Sequence, residues 1–173
     1  MKWRSYTTFE RKISAIFKLD EETWLKHANP WSVWTRNTAL PALVIAFWSR
    51  VWLGWWAVIP IIIAISWTYL NPRLFEKPKS TDNWASKSVL GERVWSNRDN
   101  VKIPDHHKRA PNILNIIAGI GAIFVIWSVY SLEIWPLIVG FSLVYCGKLW
   151  FLDRMVWLYE DMKHVQEYVK WLY

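Results

Sequence analysis

NPWSVWTRNTALPALVIAFWSRVWLGWWAVIPIIIAISWTYLNPR, residues 29–73, is a long apolar block laced with tryptophan and closed by an Asn-Pro pair at each end. Asn29 reads as a helix N-cap with Pro30 at the first helical position, where the missing N–H is harmless. A helix from Pro30 to Arg50 would be about 31 Å long at about 1.5 Å per residue, enough to cross a bilayer. Arg36 falls in its second turn and Arg50 at its far end, so each can snorkel to its own interface. The strictly apolar run Ala39–Trp48 is short, a length that by itself fits a re-entrant segment. Gly54 marks a tip, and residues 52–70 make the return helix. Pro41 should kink the first arm, and Pro60 is a second interior proline, level with the apolar middle of the return helix. Asn71-Pro72 should stop the return helix, because the residue before proline avoids the α region. The stretch is therefore expected to be a hairpin of two crossings.

A second apolar stretch, residues 111–159, repeats this plan. Ile113 to Ser131 is nearly continuous apolar sequence, with Ala118, Gly119, Gly121 and Ala122 offering a small-residue face for close helix contact. Glu133 lies at the tip, Pro136 opens the last helix, and that helix is expected to run on toward Tyr173. Overall composition, 53% hydrophobic and 20% charged, would suit a water-soluble chain, but the distribution does not. Arg50 is the only charge between Asn37 and Leu70, and Glu133 and Lys148 are the only ones between Pro111 and Leu149. Charge gathers in residues 1–36, 71–110 and 150–173, as expected for a lipid solvent. Many of the sixteen tryptophans lie at the ends of the apolar runs, where an indole's apolar body and single N–H suit the headgroup level. A tryptophan-rich soluble core is the competing reading, but its helices should interleave polar residues at period 3.6. The one cysteine, Cys146, excludes an intrachain disulfide and a cysteine-based zinc or iron–sulfur centre. The first thirty residues show no apolar core of a cleavable signal peptide, so the first membrane helix is expected to target the chain.

The flanks set the orientation. Thr7-Thr8-Phe9-Glu10 resembles a capping box for a short basic amphipathic helix, with Phe9, Ile13, Ile16 and Phe17 on one face. Residues 84–95 can form a second helix with Trp84, Ser88, Gly91 and Trp95 on one side, which suggests that it lies on the membrane or on the hairpins. Seven Lys or Arg precede Asn37, and nine lie in residues 71–110. The positive-inside rule places both segments in the cytoplasm, which requires an even number of crossings between them. The expected fold is all-α: a polytopic membrane protein with four transmembrane helices as two hairpins plus interfacial amphipathic helices. It forms a single domain, residues 1–173: a cytoplasmic N-terminal segment (1–29), a first hairpin (30–70), a cytoplasmic connection (71–110), a second hairpin (111–159) and a cytoplasmic helix end (160–173). The expected location is the cell inner (plasma) membrane, with both termini cytoplasmic.

Groups able to do chemistry gather at the inner mouth. His27 precedes the first crossing and His107 the third, so His27, His106 and His107 are candidate metal or haem ligands, although no His-x3-His pair or multi-histidine box is present. Asp153 and Glu160 share one face of the last helix, as do Arg154 and Asp161, and such carboxylates could serve acid–base chemistry or headgroup recognition. Interfacial salt bridges with Arg36, Arg73 or Arg93 are the plainer reading. Lys148 can snorkel inward or pair within the bundle. Glu92-Arg93, with Lys87, forms a basic surface suited to phosphate headgroups. A lipid-directed catalytic site would draw on His27, Arg36, Glu92, Arg93, His107, Asp153 and Arg154. The net charge of +7 suits anionic lipid, and its dispersal along the membrane surface argues against nucleic acid. No phosphate-binding glycine loop, nucleophile elbow or zincin motif is present.

The blocks HANPWSVWTR, STDNWASKSVLGERVW and GKLWFLDRMVWLYEDM together resemble a family of small prokaryotic integral membrane proteins known only as a domain of unknown function. The resemblance spans residues 25–162 and implies a prokaryotic membrane protein. It carries no activity, substrate or site residue. The sequence thus points to a non-enzymatic accessory, scaffold or oligomeric transport element without a cofactor, in contact with anionic lipids and able to join a homo-oligomer or larger membrane complex. The alternatives are an enzyme acting on a lipid or lipid-linked substrate at the cytoplasmic leaflet and a haem- or metal-binding membrane protein.

Overall fold

The computed structural model describes residues 21–171 and Tyr173. The amphipathic helix expected after Thr7 lies outside the described residues. All the described regular structure is helical. Helix α1 covers Glu21–His27, α2 Pro30–Arg36 and α3 Ala39–Trp48. The short α4, Arg50–Leu53, leads through a 3-10 turn, Gly54–Ala57, into α5, Val58–Leu74. Helix α6, Trp84–Ser96, fills the connecting segment, and a 3-10 turn, Asp105–His107, precedes α7, Arg109–Ser131, and α8, Ile134–Met162.

Three stretches are long and apolar enough to cross a membrane: Pro30–Leu74, Asp105–Ser131 and Ile134–Met162. The first is bent double. Asn29 Nδ2 donates to the Glu76 carbonyl at 2.9 Å, Asn71 Nδ2 to Thr35 Oγ1 at 2.8 Å, and Trp67 Nε1 to Thr38 Oγ1 at 3.1 Å. Each bond joins a residue near the start of the stretch to one near its end, so its two arms run antiparallel. Gly54 makes the reversal with a φ of 53°, a backbone that L side chains rarely adopt. Between the arms lies an apolar cavity of about 460 Å3, walled by Ala42, Ala46, Pro60 and Ala64 among others.

Asn29 caps α2 as its sequence implies, with its side chain accepting from Trp31 N at 2.9 Å. Pro41 acts one turn back: its ring nitrogen cannot donate to the Asn37 carbonyl, and the helix breaks between α2 and α3 at that level. The Tyr145 hydroxyl, from α8, donates to the Asn37 carbonyl at 2.5 Å instead. The expected stop at Pro72 is corrected. Helix α5 continues to Leu74 and ends where Phe75 turns extended. Asn71 is fully buried and takes a hydrogen bond from Ser32 Oγ at 3.3 Å, which holds this turn against α2 while the helix runs through the proline.

Helices α7 and α8 pack closely. A Cβ on Gly121 would stand 2.7 Å from Val144 N, and one on Gly147 would stand 2.9 Å from the Leu114 carbonyl. The small-residue face is therefore only partly the expected one: Gly121 and Ala118 line the contact, whereas Gly119 faces open space and Ala122 is exposed. Arg50 donates to the Val129 and Tyr130 carbonyls, the latter at 3.2 Å, so the tip of the first hairpin meets the end of α7 at the second tip. The outer surfaces of these helices expose isoleucines such as Ile62, Ile63, Ile123 and Ile126. Trp55 is 92% exposed at the first tip and Trp135 75% at the second. Contiguous exposed apolar surface of this kind suits lipid.

The well-packed core lies at the opposite end. It joins Trp24 of α1 and Ala28 just beyond it, Val89, Leu90, Val94 and Trp95 of α6, and Met155, Leu158 and Tyr159 of α8, closed by Tyr168 and Trp171. Gly91 permits this contact, because its Cα lies directly against the Met155 backbone. Asp153 and Glu160 do share a face, and both look at α6: Trp84 Nε1 donates to Asp153 Oδ1 at 3.2 Å, and Lys87 pairs with Glu160 at 2.7 Å. The expectation that the last helix runs toward Tyr173 is also corrected. Helix α8 ends at Met162, and the chain turns back so that Thr81 N donates to the Tyr173 carbonyl at 2.8 Å and Thr81 Oγ1 to the Trp171 carbonyl at 2.8 Å. Burial of Tyr168 and Trp171 against α6 outweighs continuation of a solvated helix.

Candidate functional site

This core caps the inner ends of the two hairpins, and at the junction between cap and hairpins four side chains converge. Arg36 Nη1 meets His27 Nε2 at 2.7 Å, and Arg36 Nη2 donates to the His27 carbonyl at 3.3 Å. Lys148 Nζ donates to Glu92 Oε1 at 2.9 Å. Each partner comes from a different element: α1, α2, α6 and α8. Burial holds the His27 imidazole well below its usual range, helped by the positive charges of Arg36, Lys148 and Arg73, so the ring is neutral and accepts from Arg36. Burial alone would raise the Glu92 pKa. Lys148 and then Arg36 overcome that and hold the carboxyl below its ordinary value. The two pairs thus act as one electrostatic unit, with two cations against one carboxylate.

A cavity of about 260 Å3 opens beside this unit. Arg36, Lys148 and Tyr145 supply its polar end, and Leu40, Leu43, Val89 and Val144 supply apolar walls. It lies between α3 and α8, with α6 reaching it through Val89. Arg36 Nε is buried and makes no hydrogen bond among the described residues, and His27 Nδ1 is in the same state. A buried N–H of this type is costly to leave unmet, so the arginine retains donor capacity for an acceptor placed in the cavity.

The other candidates go elsewhere. The Arg93 guanidinium lies over the Trp171 ring at 4.1 Å, and Arg154 over Trp157 at 4.6 Å. Asp153 serves Trp84, not Arg36, Arg73 or Arg93, among the bonds seen for it. His107 is buried, and its Nε2 meets Asp161 Oδ2 at 2.8 Å, which His106 Nε2 also reaches at 3.2 Å. His27 does not join these two histidines, since its ring is occupied by Arg36. The seven residues proposed for catalysis therefore form one cluster around His27, Arg36 and Glu92, and separate contacts for Arg93, His107, Asp153 and Arg154. Two cavity residues, Lys148 and Tyr145, were not among those seven. Their spacing of three on one helix face was the available signal.

Residues 8–171 match the model of a family of unknown function, DUF6653. The chain belongs to DUF6653. The match covers both apolar stretches, the connecting helix and the C-terminal turn, so the cavity and its four-residue cluster all fall inside the family's extent. No curated protein and no solved structure matches this DUF6653 chain.

Proposed function

We propose that this chain is a multi-pass membrane protein that holds an anionic amphiphile at the cytoplasmic leaflet, as a non-enzymatic accessory element and not as a catalyst. The observation that carries this is the cavity at the cap–hairpin junction. Its polar end has Arg36 and Lys148 opposed by Glu92 alone, and its walls are apolar. A phosphate or carboxylate head would meet the unused Arg36 Nε, and an acyl segment would lie along Leu40, Leu43 and Val144. The dispersal of Arg93, His107, Asp153 and Arg154 among unrelated partners supports binding over catalysis.

Four crossings, with both basic ends in the cytoplasm, go with this reading. The first hairpin reaches the same tip level as the second through Arg50, and its inner end meets α8 through Tyr145. Single cysteines placed at Trp55 and Trp135 in a variant lacking Cys146 should label from outside intact cells, and one at Lys87 should not. Labelling at residue 87 from outside would reverse the orientation.

Binding is tested by native mass spectrometry of protein released from nanodiscs of phosphatidylglycerol and phosphatidylcholine. Retained phosphatidylglycerol should exceed phosphatidylcholine, and Arg36→Gln should reduce that preference about tenfold, as expected for loss of a charge-assisted bond. Arg36→Lys should keep part of it. A folded Arg36→Gln protein with unchanged preference would remove the proposal.

A further inference from the structure

A second cluster lies away from the cavity. His106 and His107, in the 3-10 turn before α7, and Asp161, at the end of α8, bring their ligand atoms within 4.8 Å of one another. The two Nε2 atoms converge on one oxygen, Asp161 Oδ2, at 3.2 and 2.8 Å. Tetrahedral coordination with bonds of about 2.0 Å needs neighbouring donor atoms about 3.3 Å apart. The 3.2 Å edge lies at that figure and the 2.8 Å edge falls about half an ångström inside it. The two imidazoles stand 4.1 Å apart between centroids, close enough for one nitrogen of each to reach a single cation.

The setting suits an ion more than a simple salt bridge. The His107 side chain is 1% exposed, and its Nδ1 makes no hydrogen bond, so Asp161 is the ring's polar anchor among the described residues. His106 and Asp161 are 65% and 49% exposed, which opens the site to water and leaves room for a solvent ligand. Two histidine nitrogens and one carboxylate oxygen with an open position are the donor set of zinc and related first-row divalent ions.

We infer that His106, His107 and Asp161 form a binding site for a divalent transition-metal ion, zinc-like in preference, that clips the start of α7 to the end of α8. The ion would close the mouth of the second hairpin across 54 residues of chain. It stands apart from the cavity, so it holds whether or not a lipid binds there.

The test uses the full chain, purified with a tag free of histidine and stripped by chelator. Cobalt(II) titration should give saturable visible d–d bands of four-coordinate intensity at one ion per chain, displaced by zinc, and zinc should raise the unfolding temperature. His106→Asn and Asp161→Asn, both at exposed positions and checked for native helicity, should each weaken binding about tenfold or more. His164→Asn should bind as the parent does. Absence of saturable cobalt spectra, or binding unaltered in both His106→Asn and Asp161→Asn, would overturn the site. So would loss of binding in His164→Asn equal to that in His106→Asn, which would mark it as adventitious surface uptake.

Discussion

Gly91→Ala should destabilise the protein by about 2 kcal/mol or more, although alanine is the better helix former. On propensity alone the change would stabilise α6 by about 1 kcal/mol. The added methyl, however, would overlap the Met155 carbonyl group, which is backbone and cannot rotate aside. Overpacking a fixed contact costs about 1–3 kcal/mol, and here the whole α6–α8 seam must part to relieve it. Thermal unfolding in detergent, followed by circular dichroism, should show the loss. Gly119→Ala is the matched control, because nothing lies within 4 Å of its added methyl. That variant should be neutral or slightly stabilised. Equal behaviour of the two variants would mean that α6 does not pack on α8 as described.

The second large effect concerns the ion pair at the junction. Lys148→Met removes the direct partner of Glu92 and leaves a carboxylate whose side chain is only 22% exposed. Breaking a buried pair on one side is far costlier than removing both halves. With Lys148 itself 41% exposed, the expected loss is about 2 kcal/mol, between the surface and fully buried cases. The double variant Glu92→Gln with Lys148→Met should recover most of it. Unfolding of the parent, the single variant and the double variant under one detergent condition decides this. A double variant no better than Lys148→Met would mean that the lysine acts by packing on Phe151, over whose ring its ammonium sits at 4.8 Å, and not by charge.

Much of the fold could be read from local chemistry. Asn29-Pro30 caps a helix because the required interactions, a side-chain acceptor and a missing N–H, are carried by the two residues themselves. The hairpin tips were legible for the same reason, through Gly54 and the apolar runs on either side. Pro72 misled because its effect depends on what holds the preceding turn, and the partners of Asn71, Ser32 and Thr35, lie 39 and 36 residues away. The end of α8 misled similarly: no breaker marks Met162, and the chain turns there only because Tyr168 and Trp171 find a buried seat beside α6. The connecting helix was placed correctly in sequence, and of its two expected seats, the membrane surface or the hairpins, it takes the second, where it supplies the centre of the core.

The site was legible as a neighbourhood and not as a set of partners. Charge placement put His27 and Arg36 at one level, and they do meet. Nothing in the sequence pairs Glu92 with Lys148 across 56 residues, or the two adjacent histidines with Asp161 across 54 and 55. Such pairings follow from the rotation of α6 and α7 about α8, which the glycines at 91, 121 and 147 set by permitting backbone contact.

The location of the core has a consequence for biogenesis. The cap joins Trp24 to Trp171, so it closes only after residue 171 has emerged from the ribosome. The apolar hairpins carry their own backbone hydrogen bonds and can enter lipid in order of synthesis. Insertion thus precedes packing, and the Lys148–Glu92 pair, 56 residues apart, forms late, when the cap settles onto hairpins already in place. Truncation within the final turn would leave inserted helices beneath an open cap, a state that a quality-control protease could recognise by its unburied Val89, Leu90 and Trp95.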